Sequence, residues 1–220
     1  MDTTVVLVED HPLFSKGLLQ LIESEKGFIV AGEARTGEEA LSLIKEKKPQ
    51  FAIVDLNLGD EDGLEIIKML KQEQPSLFVL VLSMFDERYY AERALKAGAQ
   101  GYIMKEEAPH KVIDAIKTII SGKIWLSDNE RDHLYEYISG NSVKETDKWC
   151  ASINTLSNRQ LQIFNMIGKG LGTIEIANKL NLSTKTIDAH KEHIKQKLHC
   201  NSSQELRQLA VECNSRLITK

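Results

Sequence analysis

Five side chains in this sequence stand where chemistry can use them: the paired carboxylates Glu9 and Asp10, the carboxylate Asp55, the hydroxyl of Ser83 and the amine of Lys105. Each follows an apolar run, namely Val5 to Val8, Phe51 to Val54, Phe78 to Leu82 and Gly101 to Met104. A carboxylate can attack a phosphoryl group. The approach of two anions needs a metal, and Mg²⁺ favours a few carboxylates together with phosphate oxygens and water. On this reading Asp55 is the nucleophile, Asp10 and Asp55 hold the ion, and Glu9 stands behind them. Lys105 neutralises phosphate charge and Ser83 donates to a phosphoryl oxygen. Alone, Asp55 reads equally well as a cap on the loop that follows. The three other runs decide for the site.

Short apolar runs that stop on polar residues fit strands buried on both faces of a parallel sheet, whose ligands gather at the strand C-termini. The stretches between them have helical spacing. Phe14, Leu18, Leu21 and Ile22 follow Pro12, a good first helical residue, and Phe28 to Val30 lead into a further strand. Thr36-Gly-Glu-Glu39 has capping-box spacing before Ala40, Leu41 and Ile44. Gly59-Asp-Glu-Asp-Gly63 is a turn-rich loop before the stripe Leu64, Ile67 and Leu70. A helix runs from about Glu87 to Ala97 with Gly98 as its C-cap, and Val112, Ile113, Ile116, Ile119 and Ile120 mark an amphipathic helix after Pro109. These apolar stripes are expected to be core. Five βα units fit one parallel sheet, most simply the doubly wound flavodoxin-like α/β arrangement.

The ordered set Glu9-Asp10, Asp55, Ser83 and Lys105, each closing an apolar run, resembles the receiver domain of bacterial two-component response regulators. The resemblance implies that Asp55 is the phosphoacceptor and that the Asn57 backbone carbonyl joins Asp10 and Asp55 in holding Mg²⁺. It also implies that Tyr102, in Gly-Tyr-Ile-Met-Lys105, is the aromatic switch position. Glu9 stands where many receivers have Asp, a common variant that keeps a metal site. Glu106 follows Lys105 where many have Pro, which bears only on the cis peptide of the Lys-Pro form.

At 220 residues the chain suggests two domains, and 42% hydrophobic with 27% charged residues is ordinary for a globular protein. A chain this long buries roughly 70% of its unfolded surface and requires no disulfides. Cys150, Cys200 and Cys213 are odd in number, widely spaced and unlike a metal motif, so they read as reduced thiols of a cytoplasmic protein. Met1-Asp-Thr-Thr lacks the features of a signal peptide, and no apolar run is long enough for a membrane span. Charge is uneven. Residues 1–149 carry 18 Lys and Arg against 27 Asp and Glu, or −9, while residues 150–220 carry 10 against 5, or +5. The basic part suggests a polyanion partner.

The βα pattern breaks at Ser121. Ser127-Asp-Asn-Glu130 can cap a short helix carrying Leu134, Tyr135 and Ile138, with Ser139-Gly-Asn-Ser142 a flexible joint. Ser157-Asn-Arg-Gln160 is a capping box opening a helix with Leu161, Phe164 and Ile167 inward, and Gly170 lies past its end. A second helix carries Ile176, Ala177 and Leu180; Ser183 caps a third that reaches Leu198; Ser202-Ser-Gln-Glu205 caps a fourth with Leu206, Leu209, Ala210 and Cys213 on one face. The second and third, joined by a tight turn, form a helix-turn-helix candidate. In the third, Ile187, Ile194 and Leu198 face inward and leave Lys185, Asp188, Lys191, Glu192 and Lys195 outward. Such a helix fits a major groove, its N-terminal residues at base edges and its lysines at phosphates. His190 and His193 lack a third ligand at metal spacing and read as packing or phosphate contacts.

Leu156-Ser-Asn-Arg159, Gly170 to Ala177, Leu180, and Ser183-Thr-Lys-Thr-Ile-Asp-Ala-His190 through Ile194, Lys197 and Leu198 resemble the LuxR-type helix-turn-helix. With the receiver ahead of it, the chain is similar to NarL/FixJ-type response regulators. That resemblance implies a transcription factor that reads double-stranded DNA as a dimer, with Thr184, Lys185, Thr186, Asp188, Ala189, Lys191 and Glu192 on the DNA-facing stretch. Asp188 and Glu192 repel phosphate but can accept from cytosine N4. The expected organisation is a receiver at residues 1–121, a linker at 122–150 and a four-helix DNA-binding domain at 151–220. A sensor histidine kinase is the expected phosphodonor, and a homodimer the expected product of phosphorylation. Two other readings stand beside it: a phosphorylation-independent regulator acting through protein contacts, and a Mg²⁺-dependent phosphohydrolase using Asp55. Asp55-Leu-Asn57 lacks the second carboxylate that such an enzyme would use as general acid.

Overall fold

A computed structural model describes residues 2–59, 61–132, 153 and 155–216. The stretch around His133, Tyr135 and Tyr137, the Ser139–Ser142 joint, Asp60 and Cys150 lie outside the described residues. The chain divides into two compact units, Met1–Ser139 and Gly140–Lys220.

In the first unit β1 (Thr3–Val8), β2 (Phe28–Ala34), β3 (Phe51–Asp55), β6 (Phe78–Ser83) and β7 (Gly101–Met104) form one parallel sheet in the order β2-β1-β3-β6-β7. Between β3 and β6 a two-residue antiparallel pair, β4 (Asn57–Leu58) and β5 (Glu61–Asp62), replaces the expected open loop. The helices are α1 (Pro12–Ser24), α2 (Gly37–Lys47), α3 (Gly63–Glu73), α4 (Glu87–Ala97) and α5 (Ala108–Ile120). Strand side chains alternate between faces. Val5, Leu7, Phe51, Ile53, Leu80 and Leu82 point to the side covered by Leu18 and Ile22 of α1 and by Val112, Ile116 and Ile119 of α5. Helices α2, α3 and α4 lie side by side and bury Ile44, Ile67, Leu70 and Ala94. Each fully buried Leu, Ile or Val contributes about 1.5–3 kcal/mol relative to exposure. Ile120, expected in the α5 stripe, is instead exposed.

Local sequence fixes the ends. Thr36 Oγ1 accepts from the Glu39 N–H, but the Glu39 carboxylate reaches back to the Arg35 N–H at 2.7 Å, one residue beyond the expected reciprocal bond. Gly98 ends α4 with φ +107°, a left-handed turn that glycine adopts without cost. After α5 the chain returns to the sheet. The Trp125 N–H donates to Gln100 O at 3.0 Å, and the Tyr102 N–H to Trp125 O at 3.0 Å, so Trp125 bridges in parallel to the free edge of β7. The Ser127 N–H then donates to Glu87 Oε1 at 2.9 Å, and Ser127 Oγ accepts from the Glu130 N–H, opening the helical residues 128–132. The start of the expected linker thus lies along the sheet edge.

The second unit contains α6 (Asn158–Gly168), α7 (Thr173–Lys179), α8 (Thr184–Leu198) and α9 (Ser203–Arg216). Both halves of the Ser157–Gln160 capping box form, at 3.3 and 2.9 Å. Ser183 Oγ accepts from the Thr186 N–H at 3.0 Å and starts α8. Asn181, at φ +51°, makes the tight turn between α7 and α8. Leu161, Phe164, Ile176, Ile187, Ile194, Leu206 and Ala210 are buried, one residue or more from every helix.

Candidate functional site

Sheet register assembles the chemistry. Val8 pairs with Val54, so Glu9 follows beside Asp55; Asp55 pairs with Leu82, so Ser83 comes one step later; Ser83 pairs with Met104, so Lys105 comes next. One diagonal row along the C-terminal edge therefore holds Glu9, Asp55, Ser83 and Lys105.

Glu9 and Asp55 are each 1% exposed, and one ammonium serves both: Lys105 Nζ lies 2.8 Å from Asp55 Oδ2 and 2.6 Å from Glu9 Oε2. The first contact is an aligned hydrogen bond; the second is an ion pair only, leaving Glu9 Oε2 buried without a hydrogen-bond donor. The Phe14 ring lies 4.8 Å from the same ammonium. Asp55 Oδ1 accepts from the Asn57 N–H at 3.0 Å, and Asp10 Oδ2 from the Gly59 N–H at 2.9 Å. Burial pushes the Asp55 carboxyl up to about 6; Lys105 pulls it down and Glu9 pushes it up, and burial prevails.

Ligand atoms of Glu9, Asp10, His11 and Asp55 all lie within 4.8 Å of one another. Three carboxylates against one ammonium leave a local charge of −2, and Asp10 Oδ1 is buried without a hydrogen-bond donor. Hard oxygen donors with excess negative charge suit Mg²⁺. His11 escaped the sequence reading, although its place after two carboxylates at a strand end was a signal. Its Nδ1 stands 2.9 Å from Glu9 Oε1 and 2.8 Å from Asp10 Oδ1.

Ser83 is fully buried and its Oγ accepts from the Phe85 N–H at 3.0 Å. Tyr102 is buried too, its hydroxyl donating to Phe85 O at 2.8 Å, and burial raises its phenol well above the ordinary value. The loop after β6 thus connects Ser83 to Tyr102 through Phe85, whose ring stacks on Tyr90 at 5.1 Å.

In the second unit Thr184, Lys185, Asp188, Ala189 and Glu192 are exposed on α8, and Thr186 is half-buried. Lys191 and Lys195 are not the outstretched cations that spacing suggested. Lys191 Nζ donates to Thr173 Oγ1 of α7, and Lys195, 17% exposed, pairs with Glu192 at 2.8 Å. His190 Nδ1 is buried without a hydrogen-bond partner, and burial lowers the imidazole's pKa, with Arg159 and His193 adding to the effect.

A doubly wound sheet with this acidic edge, followed by a helix-turn-helix unit, defines a class. Residues 5–117 match the response regulator receiver domain, and residues 154–210 match the bacterial regulatory proteins of the luxR family. The chain belongs to the DNA-binding two-component response regulators, a flavodoxin-like receiver joined to a LuxR-type domain. It is 31% identical over 210 residues to the oxygen regulatory protein NreC of Staphylococcus epidermidis, covering 94% of this chain and 96% of that one. Among solved structures it is similar to a LuxR-family two-component response regulator from Aurantimonas sp. SI85-9A1, with 29% identity, a TM-score of 0.58, and coverage of 63% of this chain and 99% of that one. RcsB from Salmonella enterica serovar Typhimurium, bound to promoter P1flhDC in the presence of phosphomimetic BeF3-, has 25% identity and a TM-score of 0.60, covering 96% and 98%.

Proposed function

We propose that Asp55 is the phosphoacceptor of a transcriptional switch and that α8 carries the output to double-stranded DNA. The observation that carries this reading is the edge where Asp55 lies buried between Lys105 and the Glu9–Asp10 pair. A sensor histidine kinase presents a phosphohistidine. An Asp55 carboxylate oxygen forms the new O–P bond as the N–P bond breaks, and the released imidazole takes up a proton. Asp10, Asp55 and the Asn57 carbonyl would hold Mg²⁺, with Glu9 behind them. The ion, when bound, supplies positive charge that lets the two anions meet.

Lys105 turns its ammonium from the bare carboxylate to the phosphoryl oxygens. Ser83 donates its O–H to a phosphoryl oxygen, and Tyr102 repacks because Phe85 ties the two together. The group is taken up and lost as a signal, not as catalytic turnover. Repacking favours pairing of two copies, so that two α8 helices meet two half-sites. The receiver is assigned residues 1–121, the linker 122–150 and the DNA-binding domain 151–220. Among the described residues no helix is long and apolar enough to cross a membrane; the action is assigned to the cytoplasm, where a thiol such as Cys200 stays reduced.

Incubation of the full chain with Mg²⁺ and a small acyl phosphate tests the proposal. One phosphoryl group per chain is expected, and none in Asp55→Asn. Uptake that persists in that variant overturns it.

A further inference from the structure

The exposed face of α8 is not basic. Lys191 is drawn off to Thr173, and Lys195 carries Glu192 as its own counterion. Asp188 has no such partner. Its contact among the described residues is the Thr173 hydroxyl at 3.5 Å, too long to neutralise a carboxylate. The hydrogen bonds run in one direction, however. Thr173 Oγ1 accepts from Lys191 Nζ, which leaves its own proton to donate toward Asp188 Oδ1, a long contact that biases how that carboxylate is turned. An exposed, oriented acceptor thus sits on the second turn of α8, beside the small side chain of Ala189.

We propose that Asp188 reads cytosine: its carboxylate accepts from the exocyclic N4 amine of one cytosine in each half-site, and Thr173 is the positioning residue. This rests on α8 being the DNA-contacting helix and names what the helix recognises. Elimination by chemistry leads to cytosine. In the major groove guanine offers the acceptors N7 and O6, thymine offers the acceptor O4, and adenine sets its N6 donor beside the acceptor N7. Cytosine presents a donor with no acceptor next to it on the same base. A carboxylate is repelled by the first three in whole or in part. It also gains nothing from the phosphates, so Asp188 contributes selectivity while Lys185 and the helix ends supply attraction.

The test uses the full chain, charged by a small acyl phosphate, to select duplexes from a random library, alongside Asp188→Ala, Asp188→Asn and Thr173→Val. Asp188 is exposed and alanine is a better helix former, so the first variant keeps its fold. The wild type is expected to select cytosine at one fixed position per half-site. Changing that pair to T·A costs the wild type roughly 5- to 150-fold in affinity, the worth of one good base contact, and leaves Asp188→Ala nearly unaffected. Asp188→Asn turns the preference to adenine, whose N6 and N7 suit an amide. Thr173→Val weakens discrimination at that position and spares the others. A motif in which the Asp188-dependent position is not cytosine, or one unchanged in Asp188→Ala, overturns the proposal and leaves DNA binding standing. A wild type that enriches no sequence overturns both.

Discussion

Replacing Lys105 with Met keeps most of the side chain and removes its charge. The ammonium lies 2.8 Å from Asp55 Oδ2 and 2.6 Å from Glu9 Oε2, and water has almost no access to either carboxylate. Removing one partner of a buried pair costs about 3–5 kcal/mol, because the other charge is left uncompensated. Here two carboxylates are left facing each other, and Asp55 can relieve the cost by binding a proton. Asp55 already titrates at about 6 against an ordinary 3.8, with burial outweighing the downward pull of Lys105. Loss of that pull raises it further. The folded state then holds more protons than the unfolded one between 3.8 and the raised value, so stability falls as pH rises through that window. In the absence of divalent cations, Lys105→Met is expected to lose about 3–5 kcal/mol at pH 8 and clearly less at pH 5.5. The slope inside the window is up to ~1.4 kcal/mol per pH unit for each proton. Urea unfolding of the full chain, followed through hydrogen exchange of the β3 amides, isolates the receiver. A penalty under about 1 kcal/mol at pH 8, or one that does not shrink at pH 5.5, would show that the Lys105 charge does not balance the two carboxylates and would leave the side chain as packing.

Two further outcomes follow from single positions. A Cβ on Gly63 would lie 2.4 Å from the Asp55 carbonyl oxygen and 2.5 Å from Leu56 Cα, both rigid backbone. Gly63→Ala should therefore cost about 1–3 kcal/mol or more in urea unfolding and slow phosphoryl uptake by shifting Asp55. Glu130 is raised from 4.5 to about 7, by burial first and then by Glu87 and Asp86. Its contribution to stability is present below pH 4.5 and lost as pH rises to about 7, so Glu130→Gln should raise the melting temperature at pH 8 and hardly at all at pH 4.5.

The acidic edge was legible because parallel strands buried on both faces are uninterrupted apolar runs, so their ends are marked by the first polar residue. Asp55, Ser83 and Lys105 needed no more than that. Register did the rest, aligning Val8 with Val54 and Ser83 with Met104. Beyond the runs legibility fell away. The edge strand β2 extends to Ala34 through half-buried residues with no clean period. The β4–β5 pair is only two residues long on each side and reads as turn residues. Helical spacing told which way Lys191 leaves α8 but not what meets it, since Thr173 lies on another helix 18 residues earlier. Trp125 gave no sign of its strand pairing, because a single bridged residue has no period at all.

That bridge has a mechanical meaning. The chain leaves the receiver by way of Trp125, and Trp125 O is held by the N–H of Tyr102 itself. Behind the Ser127–Glu87 bond, a pull on the outgoing chain is therefore borne by the backbone of the residue whose hydroxyl shares Phe85 with Ser83. The packed Tyr102 ring and the exit segment load the same peptide. The output segment thus starts from a peptide tied to the one residue that Phe85 links to Ser83, and stress on the exit reaches the acidic edge through a short run of hydrogen bonds.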